Sequence, residues 1–400
     1  TAVVEGSITD AGSTANVVAS YKVMRDGVDV TGNYTFGQSV NGTLTVNKRA
    51  VTLTSASDEK AYDGTALTNS NVTVGGDGFV SGEGATYEVT GSQLNVGSSD
   101  NTFTYTLNEG TKADNYTIDT VEGTLRVTPV TDEIIITAAS DSKTYDGTPL
   151  TNAEYSYTEN VLIAGDELTA VVEGSITDAG STANVVTSYK VMRDGVDVTS
   201  NYTFGPSVDG ALTVDKRNVT LTSATDNKVY DGTALTNSNV TVGGDGFVSG
   251  EGATYDVTGS QLDAGSSPNT FAYTLNEGTK AENYTITKTE GTLTVTAVTD
   301  EIIITAASDS KTYDGTPLTN AGYSYTDGVL KNGDKLTAVV EGSRTDAGSA
   351  ANVVTSYKVM RGEIDVTDNY TFGPSVDGAL TVNKRNVTLT SATDNKVYDG

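Results

Sequence analysis

The side chains able to do chemistry recur at fixed intervals along the 400 residues. Tyr-Asp-Gly stands at Tyr62-Asp63-Gly64, Tyr145-Asp146-Gly147, Tyr230-Asp231-Gly232, Tyr313-Asp314-Gly315 and once more at Tyr398. A phenol beside a carboxylate could touch a ligand. Asp-Gly is also a strong turn signal, because Gly accepts positive φ and Asp bonds the local backbone. The turn is therefore the expected role, with the Tyr ring buried and its hydroxyl on a backbone carbonyl near the turn. Asn-Tyr-Thr stands at Asn33, Asn115-Tyr116, Asn201-Tyr202, Asn283-Tyr284 and Asn369-Tyr370. It fits the glycosylation acceptor pattern, but its constant placement reads better as a turn followed by a buried Tyr.

Two further chemistries have candidates. Asp77 and Glu83, with Asp245 and Glu251, lie in glycine-rich stretches acidic enough for calcium, though without the spacing of a helix–loop–helix calcium loop. No other cofactor or metal is expected, and hairpin chemistry explains the same residues. Lys48, Lys216 and Lys384 could enter isopeptide crosslinks, but they sit at joints, where a lysine is normally solvated. No catalytic residue is expected. Histidine and cysteine are absent, so no side chain supplies a base or nucleophile near neutral pH. The acidic features are all repeated, whereas a glycosidase needs one special carboxylate pair. The chain is not read as an enzyme.

The elements that would hold these residues come from a repeat. Thr-Ala-Val-Val-Glu-Gly-Ser begins at Thr1, Thr169 and Thr337, a spacing of 168. The Tyr-Asp-Gly spacings alternate between 83 and 85. Two related units, A and B, therefore alternate: a partial A repeat at 1–49, B at 50–132, A at 133–217, B at 218–300, A at 301–385, and the start of a B repeat at 386–400. The chain is expected to be a fragment of a longer protein. Each unit opens on an apolar stretch, such as Val51-Thr-Leu-Thr or Ile134-Ile-Ile-Thr, and closes on Gly-x-Leu-x-Val. Between them, segments such as Phe103-Thr-Tyr-Thr-Leu alternate at period two, the mark of a half-buried strand. Ala179–Met192 is the only tempting helix, and its β-branched content favours strand. An all-β class follows: a tandem array of small antiparallel β-sandwich, Ig-like domains in an elongated rod. A unit of this size can close its own core. A β-grasp-like unit is the alternative, which one helix per unit would favour.

The net charge is −28. It repels phosphate backbones and anionic lipid, so neither nucleic acid nor membrane insertion is expected. No apolar run is long enough to span a bilayer.

The Tyr-Asp-Gly-Thr-x-Leu opening, the Asn-Tyr-Thr and the closing Gly-x-Leu-x-Val strand resemble the YDG-type repeats related to the MBG domains of bacterial cell-surface adhesins. The resemblance covers essentially the whole chain. It implies secreted β-sandwich modules at a bacterial surface or cell wall, often described as mucus- or host-binding. The expected function is a structural stalk or spacer presenting a distal binding region, with neighbouring repeats in cis as its partners. Weak multivalent binding of host mucin or glycans is the alternative. The two A copies differ most across 159–167 and 327–335, and the two B copies across 95–100 and 263–268. All four stretches are read as exposed turns.

Overall fold

The computed structural model describes residues 1–331 and 333–400. Among them the regular structure is strand, with short 3-10 turns and no α-helix. This is the all-β sandwich class, and without a helix the β-grasp alternative has nothing to rest on. The chain divides into two compact units. One comprises Thr1–Ser142, Pro149–Ile176 and Ser181–Thr213; the other comprises Lys143–Thr148, Thr177–Gly180 and Val214–Gly400. The segment tempting as helix is the strand Gly180–Arg193, because Val, Thr and Tyr fit a pleated surface better than a helix.

In the first unit, the B repeat opens with Arg49–Ser55, which lies between Val72–Gly76 and Tyr116–Val121 in a three-stranded sheet. Its pairing with Val72–Gly76 is antiparallel. Its pairing with Tyr116–Val121 is parallel, running from Arg49↔Tyr116 to Thr54↔Val121. The chain then steps at Ala56-Ser57 into a second sheet, where Asp58–Ala61 runs parallel to Gly123–Thr128. Gly97–Asn101 flanks Gly123–Thr128 on its other side. Ala85–Val89 and Phe103–Leu107 form a separate hairpin. Antiparallel pairing is thus the rule, as expected, and parallel pairs are the exception to it. The first and last strands of a repeat run side by side in the same direction, which no hairpin connection allows.

Glycine marks the step between the sheets. A Cβ on Gly123 would lie 2.4 Å from the Ser55 carbonyl oxygen, so no side chain fits there. Beside it, fully buried Asn101 donates from Nδ2 to the carbonyls of Ala56 and Asn69. This ties the step to the loop that follows Tyr-Asp-Gly.

The second unit contains a B repeat of the same plan, with Arg217–Ser223 between Val240–Gly244 and Tyr284–Thr289. Its A repeat has a sheet ordered Asp309–Thr312, Gly378–Asn383, Gly348–Arg361 and Asp334–Glu341. Here the first strand is broken. Val298–Ile302 meets Tyr370–Phe372 in only three pairs, with an irregularity between Val298 and Glu301.

Two of the apolar cores cross the sequence boundaries. In the first unit one cluster joins Tyr62, Leu67, Leu125 and Val127 of the B repeat to Ile134, Ile136, Val161, Leu168, Val191, Val198 and Tyr202 of the next A repeat. In the second unit Tyr230, Leu235, Leu293 and Val295 join Val298, Ile302, Ile304 and Val359 in the same way. The expectation that each unit closes its own interior holds for the cluster of Val51, Leu53 and Tyr116 and is corrected at the joints. The far half of one repeat and the near half of the next bury each other. Each fully buried Leu or Ile of such a cluster contributes about 1.5–3 kcal/mol.

Candidate functional site

The Tyr-Asp-Gly turn divides its labour. Asp63 Oδ1 accepts from the Thr65 N–H at 2.9 Å, the Thr65 hydroxyl at 2.7 Å and Lys60 Nζ at 2.8 Å. Asp146, Asp231 and Asp314 do the same with Thr148, Thr233 and Thr316 and with Lys143, Lys228 and Lys311. Lysine and threonine donors hold the Asp63 and Asp231 carboxyls far below the usual carboxylate range. Gly64, Gly147, Gly232 and Gly315 sit at φ between 79° and 84°, a region few side chains tolerate. Asp and Gly thus shape the turn that aims the Tyr.

The Tyr leaves its own repeat. Tyr62 donates its hydroxyl to Asp166 Oδ2 at 3.2 Å, 104 residues downstream. Tyr202, from the Asn-Tyr-Thr of that downstream repeat, donates to the same oxygen. In the second unit Tyr145 and Tyr284 donate to Glu251 at 2.6 and 2.8 Å. Tyr230 and Tyr370 both donate to Asp334 Oδ2 at 2.7 Å. The sequence reading placed these hydroxyls on a carbonyl beside the turn. That is overturned: each joint is a carboxylate held between two phenols from different repeats. The ring pairs meet edge to face at 5.8, 5.6 and 5.6 Å, a favoured aromatic geometry. Burial, reinforced by the facing carboxylate, pushes the Tyr145 and Tyr230 phenols up to about 12 and raises Tyr202 and Tyr370 as well.

The Asn of Asn-Tyr-Thr faces the other way, into the preceding repeat. Asn201 Oδ1 accepts the Val96 N–H at 2.8 Å, and its Nδ2 donates to Asn95 Oδ1 at 2.9 Å. Asn115, Asn283 and Asn369 treat Ala11 and Asp10, Ala179 and Asp178, and Ala264 and Asp263 in the same manner. Asn201, Asn283 and Asn369 are buried, so the folded chain offers no glycan acceptor there. Lys112 and Lys280 add ion pairs to Asp10 and Asp178 and, with the Asn donors, hold those carboxyls low.

Two joints of the same kind differ in one respect. In the first unit Arg193 pairs with Asp166 and donates to the Gly64 carbonyl at 3.0 Å. In the second unit Arg361 pairs closely with Asp263 and only at 3.9 Å with Asp334, whose Oδ1 has no hydrogen-bond partner. Asp263 stands where the first joint has Asn95, and its added charge draws the guanidinium across. The stretches 95–100 and 159–167 are largely exposed, as read, but they and their copies do more than turn the chain. They carry Asn95, Asp263, Asp166 and Asp334, all joint residues. Asp166, Asp334, Arg193 and Arg361 went unnoticed in the sequence. Their signal was a constant spacing of 104 from Tyr62 to Asp166 and from Tyr230 to Asp334.

The remaining candidates are placed as follows. Glu83 accepts from Tyr116, and Asp77 accepts the Ala50 N–H. Asp245 accepts the Asn218 N–H. The acids proposed for calcium are thus engaged with separate protein donors, and no cluster of three or more acids is formed among the described residues. Lys48, Lys216 and Lys384 are exposed. Around Glu83, Tyr116, Arg49 and Asp10 lies a cavity of about 320 Å³, in the position that Tyr145 fills beside Glu251. Shallow hollows of about 490, 570 and 360 Å³ recur between a Thr-Asn loop and a Gly-Ser turn. None of the three has an aromatic in its lining.

No family model matches the chain, and no curated protein matches it. Among solved structures it is similar to the extracellular domain of protocadherin gammaB4, at 10% identity and a TM-score of 0.25, covering 86% of this chain and 69% of that one. It is also similar to Drosophila N-cadherin EC1-4, at 11% identity and 0.21, covering 84% and 100%. An endo-fucoidan hydrolase of glycoside hydrolase family 107 follows at 11% and 0.16, covering 64% and 45%. Likenesses this loose carry no argument about what the chain does. Among the described residues no helix is long and apolar enough to cross a membrane.

Proposed function

We propose that the chain is a structural spacer of a bacterial cell-surface adhesin, built from YDG-type repeats and holding a binding region away from its anchor. The observation that supports this is the joint. The two side-chain motifs most regular in the sequence, Tyr-Asp-Gly and Asn-Tyr-Thr, are both used to fix one repeat to the next. A module whose distinctive residues face its neighbours is made to be strung. Its partners are then its own repeats in cis, and its setting is extracellular.

The spacer reading is tested by applying the purified chain to immobilised mucin and to a glycan array, where it should remain inert. Retention that competes with free glycan would overturn it. One observation favours the second reading, weak multivalent glycan binding. Tyr357 is 38% exposed, stacked on Phe372, beside a groove formed with Thr337–Val339. Under that reading Tyr357→Ala, together with Tyr189→Ala at the equivalent tyrosine stacked on Phe204, abolishes the retention.

A further inference from the structure

The direction of the terminal strands points to a second property: each repeat is a tension-bearing clamp, and the B repeats hold to higher force than the A repeats. Its biological use rests on the spacer reading. In the second unit, the chain enters the B repeat at Arg217 and leaves it after Thr296. Arg217–Ser223 runs parallel to Tyr284–Thr289, through six successive pairs from Arg217↔Tyr284 to Thr222↔Thr289. Asp226–Val229 then runs parallel to Gly291–Thr296 through four more. Tension between entry and exit pulls the first strand from its start and the last strand from its end. Two parallel strands loaded this way slide along each other, so the ladder's hydrogen bonds are strained together. Had the strands been antiparallel, the same load would fall on one end of the ladder and open it a bond at a time.

The A repeat has the same direction and a poorer ladder. Val298–Ile302 makes three pairs with Tyr370–Phe372, interrupted by an irregularity, followed by the single bridge Thr305↔Val376. Only Asp309–Thr312 against Gly378–Asn383 matches the B repeat, with four pairs. Fewer bonds break at once, so the barrier to forced unfolding is lower. Alternation then acquires a purpose. Under load the A repeats yield first, each releasing roughly 280 Å of chain.

The chain has no cysteine, so handles can be placed at will in the 400-residue protein and pulled in optical tweezers. Lys216→Cys with Thr299→Cys loads the B repeat along its strands. Lys216→Cys with Glu282→Cys grips the same end of both strands and peels them. Thr299→Cys with Lys384→Cys loads the A repeat along its strands. At one loading rate, the first pair should unfold at no less than about twice the force of the second, and above the third. Equal resistance to sliding and peeling would overturn the clamp, and an A repeat as strong as B would overturn the ranking. These failures leave the spacer reading standing, whereas mucin retention removes the spacer and leaves the clamp.

Discussion

Lys216–Gly232 and Lys384–Gly400 have the same sequence and different structures. In the first, Arg217–Ser223 and Asp226–Val229 are strands; Leu221 is fully buried and Tyr230 nearly so. In the second there is no strand, and Leu389 and Tyr398 are 93% and 92% exposed. The Val-Thr-Leu-Thr run that reads so clearly as a strand is one only when flanked. Arg217–Ser223 needs Val240–Gly244 on one side and Tyr284–Thr289 on the other, and both lie later in the sequence. Strand propensity describes how well a residue fits a surface already present, and the counterparts of those two flanking strands lie outside the 400 residues.

The contrast can be broken by experiment, most decisively by proteolysis. Trypsin should cut after Arg385 and Lys396 at least a hundredfold faster than after Arg217 and Lys228, because the latter pair requires unfolding of a paired strand. Comparable rates on gels followed by mass spectrometry would mean that the two copies are equally ordered. Substitution comes next. Leu221→Ala should destabilise the second unit by about 2–5 kcal/mol in denaturant melts, and Leu389→Ala should stay within about 0.5 kcal/mol. A smaller effect is expected from Tyr230→Phe, which leaves the buried Asp334 with one donor fewer, at a cost of about 1–3 kcal/mol. Tyr398→Phe should cost nothing measurable.

The smallest effect is alkaline. The Tyr230 phenol is raised from an ordinary value of 10.0 to about 12 in the folded chain. Folding therefore favours its protonated form. That stabilisation is complete below the unfolded value near 10 and is lost as the pH climbs from there through about 12. Melts across this range should show the decline, and Tyr230→Phe should reduce it. A variant that declines as steeply as the parent would place the alkaline sensitivity elsewhere.

Much of the fold was legible because its signals are local. Period-two runs such as Phe103–Leu107, glycines at the turns and the 168-residue spacing are visible without a partner. Asp63, Asp146, Asp231 and Asp314 bond within three residues of themselves, so their turn could be argued from sequence alone. The hydroxyl of Tyr62 could not. Its acceptor Asp166 lies in the next repeat, inside a Gly-Asp turn like any other, in a stretch whose copies differ at Glu159, Ile163 and Glu167 and so seemed dispensable. Those differences fall around Val161, Leu162, Gly165 and Asp166, which the copy at 327–335 keeps. The parallel pairing was equally hidden, since strand direction depends on connections that no residue reports.

The turn that sends out a Tyr and the seat that receives it lie on opposite sides of a repeat boundary at three joints, and the seats come in two kinds. A repeats offer Asp166 or Asp334, and B repeats offer Glu83 or Glu251. A gene that grows or shrinks by unequal crossing-over in steps of 168 residues therefore restores every match between phenol and acid, wherever the exchange falls. A step of 83 or 85 would set a turn against a seat of its own kind, one methylene too short or too long. Length can drift in such a gene without a single new interface having to evolve, provided it drifts by pairs.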